Sequence, residues 1–200
     1  MSRGQIARWA LHEAGADYQQ VVFDWPTRPG ILKELNPMNK VPTLVHHHGS
    51  HDHVVTECAA INHYLAETHP EKGLLPDAHD RAAYFRWLFF AAGPLEQAVI
   101  SKAMGWEVPE GKEGMAGFGS LDLALDTIES WLKANDYVAG SRFTMADTYV
   151  GSQFVWGLRF GSIPERPAFK TYVERITQRP AYAEANAIDG RLIAEVQERS

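Results

Sequence analysis

The sequence predicts an α+β protein in which a small mixed module of helices and strands precedes a domain made only of helices. Three observations support this fold class. Before residue 70, apolar residues alternate between helical spacing and strand-like runs, and after residue 80 they keep helical spacing. Between these regions, residues 70–80 combine prolines and a glycine with polar neighbours, as linkers do. We therefore expect two domains, 1–72 and 80–200.

The first module contains five predicted elements. Ile6 and Trp9 recur at helical spacing before Gly15, whereas valines and aromatic residues over 18–24 favour a strand. Gly49-Ser50 separates two apolar runs and predicts an antiparallel hairpin. In chain order the elements are a helix over 3–14, a strand over 18–24, a short helix over 29–35, a hairpin over 43–55 and a helix over 58–68.

The second domain begins with a long predicted helix over 81–103, which Gly93-Pro94 should kink. Thr144 and Asp147 have the spacing of a capping box, which should start a helix that runs to about residue 160. Further helices are predicted over 121–132, 167–178 and 180–195.

The composition is that of a packed globular protein, because 45% of the 200 residues are hydrophobic and 22% are charged. The formal charge is −6 and no basic run stands out, so we expect no nucleic-acid partner. The apolar stretch over 87–95 is far shorter than the about 20 residues that cross a bilayer, so no membrane span is expected. The N-terminus lacks a secretory signal and Cys58 is the single cysteine, which favours the cytoplasm.

Pro42 directly precedes a predicted strand, a position that suits proline because it cannot donate to a sheet ladder. A cis bond between Val41 and Pro42 would leave the backbone N–H and C=O of Val41 free to pair with a peptide ligand as an added strand does. An ordinary trans proline in a tight turn is the alternative, and it is the commoner geometry.

Glu57 and Cys58 lie where the hairpin passes into the next helix. The first amides of a helix lack partners and the helix dipole favours an anion, so a carboxylate could dock there. Glu57 could hold an ammonium group beside it, and the pair would then suit the α-amino acid end of a ligand. Alternatively, Glu57 only complements the dipole and Cys58 packs as a small buried residue.

The order of these segments resembles that of the cytosolic, bacterial-type glutathione transferases over nearly the whole chain. The resemblance is carried by NPMNKVPTLV, the hairpin, VVTECAAINHYLAETHP, the linker and the helical remainder. Within that remainder, GSRFTMADTYVGS and RPAFKTYVERITQRPAY are similar to the family's capping box and closing helices. The resemblance implies a thioredoxin-like N-terminal domain that binds glutathione and a helical domain that offers a pocket for an electrophile.

The resemblance also implies roles for individual residues. Val41 would pair with the cysteinyl backbone of glutathione, Pro42 would be cis, and Glu57 would hold the γ-glutamyl end. Lys40 faces the glycyl carboxylate or is a solvated surface lysine. The expected glutathione-binding residues are Arg3, Lys40, Val41, Pro42, Glu57 and Cys58.

The sequence departs from the family's pattern in two places. Cys58 stands where the family usually has a serine, and it is either a tolerated substitute or a redox-active thiol. The family's central first strand would lie before Met1. We expect the natural chain to begin further upstream, because the predicted strand over 18–24 would otherwise have no neighbour; a module without that strand is the alternative.

Ser2 is the hydroxyl nearest to the family's catalytic position, which follows that first strand. In that role it would donate a hydrogen bond to the glutathione sulfur and stabilise the thiolate. A plain helix N-cap is the alternative of equal weight. Trp87 and Phe90 belong to an aromatic cluster on the long helix, where they pack in the core or line the electrophile pocket.

Five histidines crowd the tip of the predicted hairpin, at His46, His47, His48, His51 and His53. Alternate positions on one strand face could bind zinc or nickel, but adventitious binding is the most we expect. No metal cofactor is predicted.

The resemblance implies a homodimeric glutathione transferase that detoxifies small hydrophobic electrophiles, with glutathione as co-substrate. A glutathione-dependent thiol oxidoreductase using Cys58 is one alternative, and a non-catalytic interaction module is another. Redox cysteines of such modules usually lie at the first helix, where this chain has Ser2, Arg3 and Gly4.

Overall fold

The computed structural model describes residues 2–198 and has the predicted α+β architecture. Within these residues the sheet is one antiparallel pair, β1 (Thr43–His48) and β2 (His51–Thr56). No helix in the described part of the chain is both long and apolar enough to span a membrane. The α-helices are α1 (Gly4–Ala14), α2 (Gly30–Leu35), α3 (Cys58–Thr68), α4 (Arg81–Phe90), α5 (Glu96–Met104), α6 (Leu121–Leu132), α7 (Met145–Phe160), α8 (Pro167–Thr177) and α9 (Pro180–Glu198).

These elements form two compact units. One unit is Leu74–Arg179, and the other contains the described residues on either side of it, 2–73 and 180–198. The last helix, α9, thus packs with the N-terminal elements, whereas the sequence grouped it with the helical domain. The domain limits 1–72 and 80–200 remain a prediction.

Helix α1 is central to the first unit, where it packs against α3 and α9. Ile6, Trp9 and Ala10 are buried on its inner face, as their helical spacing predicts. Gly15 ends the helix in the left-handed conformation, with φ 60°, which glycine adopts without steric cost. The helix therefore ends at the predicted residue.

An ion pair fastens α1 to α9. Arg8 Nε donates to Asp189 Oδ1 at 2.9 Å, and the two side chains are 11% and 9% exposed. Burial raises the pKa of Asp189, and the bond from Arg8 offsets part of that rise. The Arg8 guanidinium also donates to the Tyr18 hydroxyl at 3.2 Å, so the segment after α1 is held against the helix.

The predicted strand over 18–24 is wrong. The structure has no strand there, and Val21 and Val22 are 77% and 58% exposed. A β-strand forms only when a neighbour completes its hydrogen-bond ladder, and in the described residues β1 and β2 pair only with each other. A high strand propensity alone therefore leaves this segment outside the sheet.

The second unit is built from α4 to α8. The predicted long helix over 81–103 is interrupted between α4 and α5 by a π-helical turn over Ala91–Leu95. Pro94 lies inside this turn, where its missing N–H breaks the α-helical bonding pattern. The break thus lies at the Gly93-Pro94 step that predicted a kink.

The start of α7 carries the predicted capping box, which the structure confirms. Asp147 Oδ2 accepts hydrogen bonds from the Thr144 N–H at 2.8 Å and the Thr144 hydroxyl at 3.1 Å. Its Oδ1 accepts from the Val138 N–H at 2.8 Å and the Tyr172 hydroxyl at 3.0 Å. Burial raises the pKa of Asp147 to about 6, although these hydrogen bonds lower it.

Candidate functional site

The open end of the hairpin brings the two predicted ligand-binding motifs together. β1 and β2 pair so that Thr43 faces Thr56. One step beyond this pair, Pro42 precedes β1 and Glu57 follows β2, and Cys58 begins α3 directly afterwards. Residues that are separated along the chain therefore meet at one end of the hairpin.

Asn36 holds the loop before β1 in shape. Its side chain is 4% exposed and donates from Nδ2 to the Lys40 carbonyl at 3.1 Å and to Thr43 Oγ1 at 3.3 Å. Its Oδ1 accepts from the Met38 N–H at 3.1 Å, as in an Asx turn. Sequence reasoning missed this residue; the available signal was an asparagine directly before Pro37 in a segment rich in turn residues.

The backbone N–H and C=O of Val41 are available to a ligand. The bond between Val41 and Pro42 is cis, and both residues are half-buried. Within residues 2–198, the N–H and C=O of Val41 have no hydrogen-bond partner. Buried backbone groups are nearly always paired, so these two groups are suited to a peptide-like ligand.

Glu57 is exposed and occupies the N-cap position of α3 with φ 67° and ψ 122°. A non-glycine residue at positive φ costs on the order of 1–3 kcal/mol, and such residues cluster at functional sites. The Glu57 side chain makes no capping hydrogen bond to α3, and the dipole of a helix favours an anion at its N-terminus. One helix start therefore offers both a carboxylate and an anion-binding position.

Cys58 is 7% exposed, and its Sγ donates to the Arg3 carbonyl oxygen at 3.8 Å. This contact joins the start of α3 to the residue before α1. Asn62 is fully buried and donates to the Cys58 carbonyl at 2.8 Å. In this contact the thiol acts as a hydrogen-bond donor, a role that a serine hydroxyl at the same position could also fill. The surroundings of Cys58 thus fit a tolerated substitute for serine better than a redox thiol.

Ser2 and Arg3 precede α1. Ser2 Oγ accepts from the Gly4 N–H at 3.2 Å, a local bond just before α1, whose N-cap residue is Arg3 rather than Ser2. That bond leaves the hydroxyl proton of Ser2 available for donation. The side chains of Arg3 and Lys40 are exposed, with Lys40 on the same loop as Val41.

Trp87 and Phe90 belong to α4 in the helical unit. Trp87 has no exposed surface, and its ring lies 5.2 Å from Phe90 and 5.6 Å from Trp131 between centroids. Phe90 is half-buried. Core packing thus accounts for Trp87, and an electrophile pocket lined by this pair stays a prediction.

Comparisons with known proteins agree with this architecture. Residues 1–68 match the family described as "Glutathione S-transferase, N-terminal domain", and residues 87–180 match "Glutathione S-transferase, C-terminal domain". Glutathione S-transferase 3 of Zea mays is 30% identical over 191 residues, which cover 86% of this chain and 83% of the relative. The probable maleylacetoacetate isomerase of Caenorhabditis elegans is 32% identical over 194 residues, covering 90% and 86% of the two chains.

A solved structure supports the same fold. The sphingomonad glutathione S-transferase complexed with glutathione superposes with a TM-score of 0.73 at 27% identity, covering 93% of this chain and 94% of that one. The fold is therefore a thioredoxin-like N-terminal domain followed by a helical C-terminal domain. The chain belongs to the glutathione S-transferase family.

Proposed function

We propose that this protein is an enzyme that conjugates the glutathione thiolate to small hydrophobic electrophiles. The observation that carries the proposal is the meeting of Val41-Pro42 and Glu57-Cys58 at the open end of the hairpin. Unpaired backbone groups lie there near a carboxylate and a helix N-terminus. A peptide with an α-amino acid end needs these partners, and membership of the family supports the same ligand.

In the proposed complex, Val41 pairs through its N–H and C=O with the cysteinyl unit of glutathione, as an added strand would. Glu57 holds the γ-glutamyl ammonium, and the positive end of the α3 helix dipole attracts the neighbouring carboxylate. Lys40 faces the glycyl carboxylate, while Arg3 adds positive charge at the start of α1.

Ser2 is the proposed activating residue. Its hydroxyl accepts a hydrogen bond from the Gly4 N–H and donates a hydrogen bond to the glutathione sulfur, which stabilises the thiolate after the thiol proton has passed to solvent. The thiolate attacks the electrophilic carbon, a C–S bond forms and the leaving group departs with its electron pair. Of the two predicted pocket residues on α4, Phe90 keeps exposed surface that could contact an apolar electrophile, whereas Trp87 has none and packs in the core.

Conjugation of glutathione to a chromogenic aryl halide tests this proposal. Ser2→Ala should lower kcat/KM by about 10- to 100-fold, because a hydrogen bond to a charged sulfur is lost. Ser50→Ala, at the exposed hairpin turn, is the matched control and should retain wild-type activity. Wild-type protein with no rate above the uncatalysed reaction would refute the transferase, and an active Ser2→Ala variant would refute the assignment of Ser2.

Reduction of a glutathione mixed disulfide tests the competing oxidoreductase. The buried, carbonyl-bonded thiol of Cys58 disfavours that activity. If the protein is such an oxidoreductase, Cys58→Ser abolishes the reduction completely. Glutathione binding without conjugation or reduction would instead identify a non-catalytic interaction module.

The relative from Caenorhabditis elegans provides a second candidate activity. That relative is named a probable maleylacetoacetate isomerase, and it is 32% identical to this chain. Isomerisation of maleylacetoacetate in the presence of glutathione is therefore the second reaction to assay. A turnover of this substrate that exceeds aryl halide conjugation would favour the isomerase.

We also propose that the protein acts in detoxification as a homodimer in the cytoplasm. The single cysteine cannot form an intrachain disulfide, and such a composition suits a reducing compartment. Light scattering of the purified protein should give a mass close to twice the 22.4 kDa of one chain, and a monomer would contradict the assembly.

A further inference from the structure

Four histidines share one face of the hairpin at the end opposite to Pro42 and Glu57. Strand alternation places His46 and His48 on one face of β1, and the register sets His53 opposite His46 and His51 opposite His48. The ring centroids of His46 and His48 are 5.6 Å apart, and the His53 ring lies 6.3 Å and 6.2 Å from them. His46, His48 and His53 thus form a triangle of imidazoles.

The triangle lines an open cavity of about 500 Å³, together with Tyr64, Thr68 and His69. His46 Nδ1 is 2.7 Å from the Tyr64 hydroxyl. When Nδ1 donates to that oxygen, the lone pair of His46 is on Nε2. Metal-binding histidines commonly make such an outer hydrogen bond, which fixes the tautomer and the ring orientation.

The other two rings are available for a ligand. Within residues 2–198, the ring nitrogens of His48 and His53 have no hydrogen-bond partner, and both side chains are exposed. His47 lies on the opposite face of β1 and is already paired, with its Nδ1 2.6 Å from Asp52 Oδ1. The face that carries His48 and His53 therefore has imidazole nitrogens available for a ligand, whereas His47 on the opposite face is already paired with Asp52.

We propose that His46, His48 and His53 bind a divalent ion of the late first-row transition metals, such as Zn²⁺, Ni²⁺ or Cu²⁺. Imidazole is a preferred ligand for these ions, and with Zn–N bonds of about 2 Å three imidazoles on a tetrahedral ion have centroids about 5 Å apart. The observed separations of 5.6–6.3 Å are slightly wider than this.

In the described residues, no group of three His, Cys, Asp or Glu side chains is placed to hold a metal ion. The proposed site therefore requires the three imidazoles at the hairpin tip to rotate toward one another. The ion therefore draws the rings together as it binds, and it cross-links β1 to β2. His51, on the same face, offers a further imidazole.

Calorimetric titration of the full chain, without an affinity tag, with Zn²⁺ tests this site. We expect one ion per chain, and His48→Gln and His53→Gln should each weaken binding by about tenfold or more. His47→Gln is the matched control on the opposite face and should bind as the wild type does. Tyr64→Phe should also weaken binding, because the outer hydrogen bond to His46 is lost.

Circular dichroism should show that each variant keeps the wild-type helix content. Zn²⁺ binding that is absent, or that His47→Gln weakens as much as His53→Gln, would overturn the proposal. Because the site lies at the far end of the hairpin, glutathione conjugation by His53→Gln is expected to match the wild type. The two proposals can therefore fail independently.

Discussion

At the scale of single residues, Glu57 combines an exposed carboxylate with a positive φ at the first turn of α3. That backbone conformation costs free energy, which the fold must recover elsewhere. Cys58, next to it, is instead buried and bonded to the Arg3 carbonyl. Adjacent residues thus differ in their surroundings: the Glu57 carboxylate is exposed, and Cys58 contacts the residue before α1.

The first prediction concerns Cys58. Cys58→Ser should keep glutathione conjugation within about twofold of the wild type, since a hydroxyl can donate to the Arg3 carbonyl as the thiol does. Steady-state kinetics with an aryl halide measure this. A loss of conjugation as large as that expected for Ser2→Ala would show that the thiol itself takes part in the reaction.

At the scale of elements, the side chain of Asn36 stabilises the loop before β1. Its hydrogen bonds take the place of the backbone hydrogen bonds that hold a helix or a strand together. It bonds to Lys40, Thr43 and Met38 and thereby fixes the backbone on both sides of Val41. The same principle acts at the start of α7, where Asp147 pairs otherwise unpaired amides. In both places one buried polar side chain determines the course of a whole segment.

Asn36→Ala should therefore weaken both the loop and the ligand site. Loss of these buried hydrogen bonds should lower the free energy of unfolding by about 1–3 kcal/mol and raise the Kd for glutathione. Urea denaturation and calorimetry measure the two effects. Asn186→Ala, at an exposed position on α9, is the control, and an Asn36→Ala variant indistinguishable from it would contradict the role given to Asn36.

Asp147 should make stability depend on pH. Its pKa is raised from 3.8 to about 6, so its stabilising contribution is fully present below 3.8 and is lost as the pH rises through about 6. Asp147→Asn should be destabilised at every pH, because the amide NH₂ would face a backbone N–H. The deficit relative to the wild type should be about 2 kcal/mol larger at pH ~4.5 than at pH ~7.5.

Urea denaturation of both proteins at the two pH values measures that difference. Asp122→Asn, exposed on α6, controls for the general loss of a carboxylate. A deficit that does not change with pH would contradict the raised pKa of Asp147.

At the scale of the whole molecule, the sequence predicted those features that depend on residues close together along the chain. The hairpin followed from Gly49-Ser50 between apolar runs, and the start of α7 followed from the spacing of Thr144 and Asp147. The segment over 18–24 was mispredicted because a strand requires a neighbour, which propensity cannot supply. The packing of α9 with α1 was missed because it depends on contacts between distant parts of the chain, such as Arg8 with Asp189.

The candidate site was predictable to a similar extent. The resemblance assigned Val41-Pro42 and Glu57-Cys58 to one ligand, and the register of β1 with β2 places them at the same end of the hairpin. The role of Asn36 was not recognised, because its side-chain bonds depend on how the loop folds back on itself. The contact between Cys58 and Arg3 joins α3 to the start of α1, and no spacing along the chain indicates it.

The central claim is that glutathione binds where Val41-Pro42 meets Glu57, and calorimetric titration with glutathione tests it most directly. Wild-type protein should bind glutathione, and Glu57→Gln should raise the Kd by about 10- to 100-fold, since a charged hydrogen bond to the ligand ammonium is lost. Glu67→Gln, exposed at the other end of α3, should bind as the wild type does. Absence of binding by the wild type, or equal affinities for the two variants, would contradict the account.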